Sequence, residues 1–461
     1  MNNPIAIEYE RAKFSEVVRY GFGGIGSNVP FILTLQFLMF FLTDHAGINA
    51  AAVGGLFMVT RLIDAVTDPL MGMIADRTKS KWGKYRPYLI IVAPFLGVLT
   101  MMLFWSPDVS IAGKVAYIYI VYIIYSLVST AVNIPYHALT PVLSQDPDQR
   151  TTIATFKQVL GIVGILLIAA GAVPITKALG DDANAWTIFA AASGVILTLS
   201  FWLCASGAKK ADTMANYAKH ESTGHSISFG EQLKLITKNH ALLMLMIAFG
   251  TDMVAFAASQ AVNIYYFTYA IKRPDLIMQV ALFGVLISVA VSAFIPLLSK
   301  TIGKKKLFIA GSAFLMIINA CLYFVPFSNV SLVFILSLIG TGFGVLTGVV
   351  GWAMLADCVD YGEWKTGHRG AGTVSSQLTF INKLGMAVGG FLAGMVLSAS
   401  GYVAGAEQTD QTLHAILEVK TLLPVAGYIC SLISMAFYPI TKEFFEKMIA
   451  DNKARVANSK Q

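Results

Sequence analysis

An otherwise apolar stretch near the start of the chain contains two acids and one base. Asp64 and Asp68 are four residues apart, so they share one face of a helix, and Arg61 precedes them by one turn on nearly the same stripe. Placing a charge at the middle of a bilayer costs about 3 to 10 kcal/mol, so charged residues inside a membrane span indicate a function. The spacing favours a cation or proton site that faces a wet cavity. The alternative is an internal Arg–Asp pair that only fixes helix packing.

Further polar residues lie in other apolar stretches. Thr130 and Asn133 are three residues apart and share a helix face, and Pro135 and His137 follow them. Carboxylate, hydroxyl and amide oxygens suit a small hard cation such as Na⁺, whereas a proton needs only one carboxylate. Asn133 has a second explanation, because its side chain could satisfy backbone groups freed by Pro135. The other charged residues in these stretches or at their ends are Lys157, Asp252, Lys383, Asp357 and Asp360.

The composition identifies the class of protein that carries these residues. The chain has 461 residues, of which 56% are hydrophobic and 13% charged, and its mean hydropathy is +0.67. Soluble domains carry about 25% charged residues, so this is an integral membrane protein. The four cysteines lie far apart without metal-binding spacing, which indicates reduced, buried thiols. The sequence has no phosphate-binding loop, nucleophile elbow or HExxH motif, so we expect no enzymatic activity.

Hydropathy predicts twelve transmembrane helices of roughly 20 to 28 residues each. The predicted spans are 17–43, 48–75, 88–106, 114–142, 153–178, 185–205, 241–270, 277–299, 307–326, 330–356, 373–399 and 420–440. Most of the 33 lysines and arginines fall in alternate loops and in the two tails, which predicts that both termini are cytoplasmic. The same distribution explains the positive net charge without a nucleic-acid partner.

A polar connection divides the predicted spans six and six. The predicted organisation is an N-terminal six-helix bundle at 1–205, a cytoplasmic central loop with an amphipathic segment at 206–240, a C-terminal six-helix bundle at 241–440 and a cytoplasmic tail at 441–461. Residues 83–86 (GKYR) have a counterpart 220 positions later in residues 303–306 (GKKK). This faint repeat predicts two related bundles about an axis along the membrane normal.

Several motifs are similar to those of one transporter family. They are residues 20–23 (YGFG), 41–44 (FLTD), 64–69 (DAVTDP), 77–87 (RTKSKWGKYRP), 133–136 (NIPY) and 357–364 (DCVDYGEW). On these motifs the sequence resembles the glycoside–pentoside–hexuronide:cation symporters of the major facilitator superfamily. The resemblance extends over nearly the whole chain. The resemblance implies a secondary active symporter of the bacterial inner membrane that works by alternating access. It also implies two six-helix bundles, and that a monomer suffices.

The resemblance implies a site for the coupling cation. Asp64 and Asp68 match the family's paired acids that bind this cation. The expected cation-binding residues are Asp64, Thr67, Asp68, Thr130 and Asn133. Thr67 stands where the melibiose permease, a member of this family, has an asparagine tied to Na⁺ use, so the cation is either Na⁺ or a proton. No other cofactor or metal is implied.

The resemblance also implies a sugar site. Lys157 falls where most members have an arginine that contacts sugar, Lys383 matches a lysine near both sites, and Trp352 can stack on a pyranose ring. The expected substrate-binding residues are Tyr20, Asn28, Asn133, His137, Lys157, Trp352 and Lys383. Arg61, Asp252 and Lys383 are expected to form a coupling charge network, with a purely structural pairing as the alternative for Asp252.

The loop between the second and third spans resembles the cytoplasmic gate motif of the superfamily. The expected gate residues are Asp76, Arg77, Lys81, Lys84, Arg86, Asp357 and Asp360.

Two departures from the family bear on the substrate. Asn28 and Asn133 occupy positions where the melibiose permease has aspartates that bind galactosyl hydroxyls, so Lys157 and Lys383 lack two negative neighbours. Lysines among neutral amides favour a substrate with its own anion, such as a hexuronide or a sulfonated sugar. Symport of neutral pentosides, xylosides or oligosaccharides is the alternative. A membrane sugar sensor that does not transport is the alternative of another class; the expected partners are sugar, cation and membrane lipid.

Overall fold

The protein is built from helices. The structure is a computed structural model that describes residues 12–144, 147–213, 239–366 and 371–458, and all regular elements in these ranges are helical. The helices are α1 (Phe14–Gly21), α2 (Gly23–Ile32), α3 (Ala50–Arg77), α4 (Ala93–Leu103), α5 (Ile111–Ala138), α6 (Thr140–Leu143), α7 (Pro147–Ala178), α8 (Ala183–Gly207), α9 (His240–Ala261), α10 (Asn263–Tyr265), α11 (Asp275–Ile302), α12 (Lys304–Tyr323), α13 (Val330–Thr366), α14 (Ala371–Ala399), α15 (Asp410–Ala436) and α16 (Lys442–Asn458).

These helices account for the predicted spans. Ten of the described helices are long and apolar enough to cross a membrane. The broken segment 14–45 and the shorter apolar segment 88–103 supply two further crossings. The prediction of an all-α membrane protein with twelve transmembrane helices is therefore confirmed.

The first span is not a continuous α-helix. Pro30 lies inside α2, and the chain then widens into two π-helical stretches, Leu33–Leu38 and Phe41–His45. Proline removes a backbone donor and disturbs the regular bonding of the helix around it. Wider turns of this kind are frequent near functional sites in helical proteins.

Packing divides the chain into two compact units. The first unit comprises residues 1–48 and 62–223, and the second comprises residues 49–61 and 224–461. The division inside α3 was not predicted from the sequence. Residues 50–61 pack with the second unit, where a Cβ added to Gly54 would lie 3.0 Å from the carbonyl oxygen of Phe391.

The second unit has a continuous hydrophobic core. Its buried residues include Leu242, Phe249, Phe308, Met354, Leu378 and Tyr438, which come from α9, α12, α13, α14 and the end of α15. The C-terminal helix α16 packs on this core through Phe444, Phe445 and Met448. The segment predicted as a simple tail is therefore a helix that covers one end of the second unit.

The boundary of the last span differs from the prediction. It begins at Asp410 rather than at 420, because the Thr409 side chain accepts a hydrogen bond from the Thr412 N–H and so starts the helix among polar residues. Lys420, the first residue of the predicted span, is 8% exposed inside α15 and donates to Asn263 Oδ1 at 2.6 Å. α13 likewise extends to Thr366, so Asp357 and Asp360 lie within a helix.

Candidate functional site

Two helices of the first unit bring acids and hydroxyls together. Asp64 and Asp68 lie one turn apart on α3, and Ser126 and Thr130 lie one turn apart on α5. The Ser126 hydroxyl donates to Asp64 Oδ1, and Thr130 Oγ1 donates to Asp68 Oδ1 at 2.9 Å. Both pairs are 62 positions apart, because these parts of the helices run side by side in the same direction. Asp64 is only 2% exposed, so this chemistry lies inside the unit.

Thr67 adds a further oxygen to α3 beside this cluster. Its Oγ1 is buried and makes no hydrogen bond within the part of the chain that the structure describes. A buried hydroxyl without a partner is unfavourable unless another group satisfies it. We name these five residues the oxygen cluster: Asp64, Thr67, Asp68, Ser126 and Thr130.

Asn133, the fifth expected cation ligand, is hydrogen-bonded to Ser27 and Ser129. Its Oδ1 accepts a hydrogen bond from Ser27 Oγ at 2.7 Å, and its Nδ2 donates to the carbonyl oxygen of Ser129 at 3.0 Å. The side chain thus links α2 to α5. The carbonyl freed by Pro135 is that of Ala131, so these bonds do not correspond to the alternative explanation of Asn133.

Lys157 lies beside His137 in the same unit. Its Nζ is 2.7 Å from His137 Nδ1 and 4.6 Å from the centre of the Tyr136 ring. Within the described residues Lys157 makes no ion pair with a carboxylate. Lys157 is half-buried and His137 is exposed, so an anion arriving from solvent has access to this pair.

Asn28 and Tyr20 are tied to their surroundings. Asn28 Nδ2 donates to the carbonyl oxygen of Gly24 at 2.9 Å, on its own helix. Tyr20 is fully buried, and its hydroxyl donates to the carbonyl oxygen of Tyr136 at 2.8 Å and lies 2.7 Å from Thr140 Oγ1. Tyr20 is therefore bonded to Tyr136, the residue whose ring lies next to Lys157. The Tyr20 hydroxyl is not exposed to a solute in this conformation.

The expected residues of the second unit lie on different helices. Asp252 on α9 makes no ion pair within the described residues, so it does not join the expected charge network with Arg61 and Lys383. Lys383 is half-buried on α14, and Arg61 is half-buried where α3 passes from one unit to the other. Trp352 is 43% exposed and packs edge-on against Phe249, with ring centres 5.7 Å apart.

The predicted gate loop of the first unit is held by a residue that the sequence analysis missed. The Asp212 carboxylate accepts hydrogen bonds from the backbone N–H groups of Lys84, Tyr85 and Arg86, at 2.9, 3.0 and 2.7 Å. Gly83 has a φ of +104°, a conformation that favours glycine, and a Cβ there would lie 2.2 Å from the Asp212 carbonyl oxygen. Asp212 is 1% exposed and fixes this loop to the end of α8.

The other expected gate residues divide between the two units. In the second unit Lys304 Nζ lies 2.6 Å from Asp357 Oδ1, and Asp360 is half-buried one turn later on α13. In the first unit Arg77 and Lys81 are exposed. The side chain of Asp76 lies outside the part of the chain that the structure describes.

The sequence contains a pattern that predicts Ser126 but none that predicts the contact made by Asp212. Ser126 precedes Thr130 by four residues, so the spacing that placed Asp64 and Asp68 on one face applies to this pair as well. Asp212 follows a span directly among lysines, but no local pattern indicates which loop it binds, because Lys84 lies 128 positions away.

Comparison with known proteins identifies the family. The family described as MFS/sugar transport protein matches residues 19–442 of this chain. The chain belongs to this family. It is therefore a multi-span membrane transporter of the major facilitator superfamily, as its motifs indicated, and not an enzyme.

Individual relatives cover nearly the whole chain. An uncharacterized symporter, YnaJ, of Bacillus subtilis (strain 168) is 33% identical over 95% of both chains. An isoprimeverose transporter of Lactiplantibacillus pentosus is 32% identical over 95% of this chain and 91% of its own. A putative sulfoquinovose importer of Escherichia coli (strain K12) is 27% identical over 98% of this chain and 96% of its own. Two of these three names refer to transport of a sugar, isoprimeverose in one and sulfoquinovose in the other.

Solved structures agree on the fold. The crystal structure of the nucleoside transporter NupG has a TM-score of 0.64 and covers 92% of this chain and 99% of its own. Its identity of 13% is low, so the likeness concerns the fold alone. The twelve-helix fold of the superfamily is confirmed.

Proposed function

We propose that this protein imports a sugar bearing an anionic group together with Na⁺ or a proton, by alternating access. The oxygen cluster is the observation that carries the coupling part of this proposal. Two acids placed inside a transmembrane helix are retained when a cation neutralises them during the transport cycle. In this proposal both termini face the cytoplasm of a bacterial inner membrane, and a single chain transports.

The donor set of the oxygen cluster suits a small cation. Its ligands are two carboxylates and three hydroxyls, which are hard oxygen ligands, and Thr67 Oγ1 is buried without a hydrogen bond. A cation between the two acids would give Thr67 the partner that it lacks. Cation binding lowers the buried negative charge, so the sugar binds more favourably afterwards. Because binding linkage is reciprocal, sugar should strengthen cation binding by the same factor.

The environment of Lys157 supports an anionic sugar. This lysine lies beside His137 and the Tyr136 ring and makes no ion pair with a carboxylate within the described residues. A partly buried ammonium without a negative partner is favourable for a ligand that brings one, through a charge-assisted hydrogen bond. The name of the putative sulfoquinovose importer among the relatives refers to such a sulfonated sugar.

A neutral pentoside is the second candidate substrate. It is favoured by the isoprimeverose transporter, a relative at 32% identity. In that case Lys157 would serve hydroxyl contacts or the cation cycle rather than an anion.

The substrate proposal is tested by uptake into proteoliposomes. We would compare a labelled hexuronide, a sulfonated hexose, a neutral xyloside and a galactoside, in wild type and in Lys157→Gln. We expect the anionic sugars to be preferred and Lys157→Gln to reduce their uptake at least about tenfold, the usual range for a lost charge-assisted contact. Lys177→Gln is the matched control, because Lys177 is exposed in the last turn of the same helix, α7. Preference for the xyloside, unchanged by Lys157→Gln, would reject the anionic substrate.

The coupling proposal is tested with the same vesicles. Uptake would be driven separately by a Na⁺ gradient and by a pH gradient, in wild type, Asp68→Asn and Thr130→Ala. We expect Asp68→Asn to abolish accumulation against a gradient while leaving sugar exchange in part, and Thr130→Ala to weaken coupling. Thr176→Ala is the control, since Thr176 is equally buried but bonds only to its own helix at Ala172 O, 2.8 Å away. Binding of sugar without any counterflow would indicate a sensor instead.

A further inference from the structure

A second buried acid lies in the other unit, away from the oxygen cluster. Asp252 is near the middle of α9 and is 2% exposed. Neither of its carboxylate oxygens makes a hydrogen bond, and no basic side chain pairs with it within the described residues. An isolated carboxylate buried in this way is strongly unfavourable unless something compensates its charge.

Two serine hydroxyls from neighbouring helices face this carboxylate. Ser312 on α12 and Ser431 on α15 are fully buried, and both interact with the Asp252 carboxyl group. Their hydroxyls nevertheless make no hydrogen bond of normal geometry, either to Asp252 or to any other described residue. Three helices thus bring one carboxylate and two hydroxyls together inside the second unit.

Two other buried hydroxyls on α15 are hydrogen-bonded. Thr421, which is fully buried, donates to the carbonyl oxygen of Leu417 at 2.6 Å, one turn back on its own helix. Ser434, three residues beyond Ser431, donates to the carbonyl oxygen of Met244 on α9 at 2.8 Å. Ser431 lies on the same helix but makes no such bond and faces the acid.

The chemistry of these groups identifies the kind of ligand. Carboxylate and hydroxyl ligands suit a hard cation, and one carboxylate balances a single positive charge. A divalent ion would leave an uncompensated charge inside the unit. We infer that Asp252, Ser312 and Ser431 form a second cation site, which binds Na⁺.

Close packing of α9 on α15 holds this site in place. A Cβ added to Gly427 would lie 2.9 Å from the carbonyl oxygen of Thr251, so the two helices are nearly in backbone contact beside the acid. Asp252 and Ser431 come from rigid elements within one unit. The site is therefore complete without any residue of the oxygen cluster, and it does not depend on the coupling site proposed above.

The test is a Na⁺ titration of thermal stability in detergent, with choline replacing Na⁺ at constant ionic strength. The starting protein is the Asp64→Asn/Asp68→Asn double variant, which removes the acids of the first site. We expect Na⁺ to raise its melting temperature still, because a ligand that binds only the folded protein stabilises it. Adding Ser312→Ala and Ser431→Ala should raise the half-saturating Na⁺ concentration at least about tenfold, and adding Asp252→Asn should remove the response. Ser434→Ala is the matched control and should leave the Na⁺ response unchanged.

Three results would overturn the second site. The first is that the double variant shows no Na⁺ response, and the second is that Asp252→Asn leaves its Na⁺ response intact. The third is that acid stabilises the double variant and Na⁺ does not, in which case Asp252 takes a proton instead. If the Asp252→Asn protein does not fold, the serine variants alone decide, since an unchanged half-saturating concentration in them rejects the site. Failure here leaves the uptake experiments on the oxygen cluster unaffected.

Discussion

Replacing Asp212 by alanine should release the loop between α3 and α4 from the first unit. This carboxylate is 1% exposed and accepts three backbone hydrogen bonds, from Lys84, Tyr85 and Arg86. Secondary structure supplies no other acceptor for these N–H groups, because the loop leaves its helix after Arg77. Without Asp212 the loop must either expose these N–H groups to water or leave them unsatisfied.

The size of the effect follows from how deeply each bond is buried. A hydrogen bond to a charged acceptor contributes about 1.5–3 kcal/mol, and a neutral or partly hydrated one about 1 kcal/mol. The bond from Tyr85 is buried, so its loss should cost about 2–3 kcal/mol. The bonds from Lys84 and Arg86 are only partly buried, so water can replace them at a cost of about 1 kcal/mol each. We therefore expect Asp212→Ala to destabilise the first unit by about 4–5 kcal/mol.

Two measurements check this expectation. The first is the melting temperature in detergent, and the second is limited digestion with trypsin, because the loop contains Lys79, Lys81 and Lys84 as cleavage sites. Asp212→Asn is the intermediate case. Its one side-chain oxygen can accept two of the three hydrogen bonds, but its NH₂ group is itself a donor and cannot accept the third. We expect cleavage in the loop to be fastest in Asp212→Ala, slower in Asp212→Asn and slowest in wild type.

The matched control is Asp182→Ala. Asp182 caps α8 by accepting a single hydrogen bond from the Ala185 N–H at 2.8 Å, so its loss should cost about 1 kcal/mol. If Asp212→Ala lowered the melting temperature no more than Asp182→Ala and left the loop as resistant to trypsin, the argument from three convergent bonds would be wrong.

Three further predictions concern other contacts. Glu16 accepts a hydrogen bond from the Lys13 N–H at 2.9 Å and lies 3.3 Å from Lys210 Nζ. Because Lys210 is 69% exposed, Glu16→Gln should cost only about 1 kcal/mol, measured by thermal unfolding. Ser126→Ala should raise the cation concentration for half-maximal uptake about tenfold, measured by titrating the driving cation. Asp357→Asn should break the 2.6 Å pair with Lys304 and cost about 1–3 kcal/mol, measured by thermal unfolding.

The helical periodicity allowed much of the first site to be predicted. Asp64 and Asp68 stand out because charges within an apolar run are rare, and their spacing alone places them on one face. The hydroxyls opposite them are harder to predict, because serine and threonine are common in transmembrane helices and usually bond to their own backbone. Ser126 was missed for this reason, and only the pairing of α3 with α5 gives it a role.

Tertiary contacts decided what the sequence left open. Asn133 was expected at the cation or sugar site, but its amide joins α2 to α5 through Ser27, a contact between residues 106 positions apart. Lys420 was predicted to be the first residue of the last span. The structure buries its ammonium against Asn263, since the neighbouring helix supplies an acceptor that no local pattern could reveal.

The faint repeat between residues 83–86 and 303–306 has a physical basis in each unit. Gly83 and Gly303 both have positive φ, at +104° and +85°, so each ends a turn that other residues adopt only with strain. A basic residue that follows each glycine donates to a carbonyl oxygen near a helix end: Arg86 to Ala205 in α8 at 2.8 Å, and Lys305 to Tyr438 just after α15 at 2.6 Å. These two residues are not equivalent in the repeat, because Arg86 corresponds to Lys306 at the offset of 220. The recurring feature with a physical basis is therefore the glycine, whose positive φ the turn requires in both units.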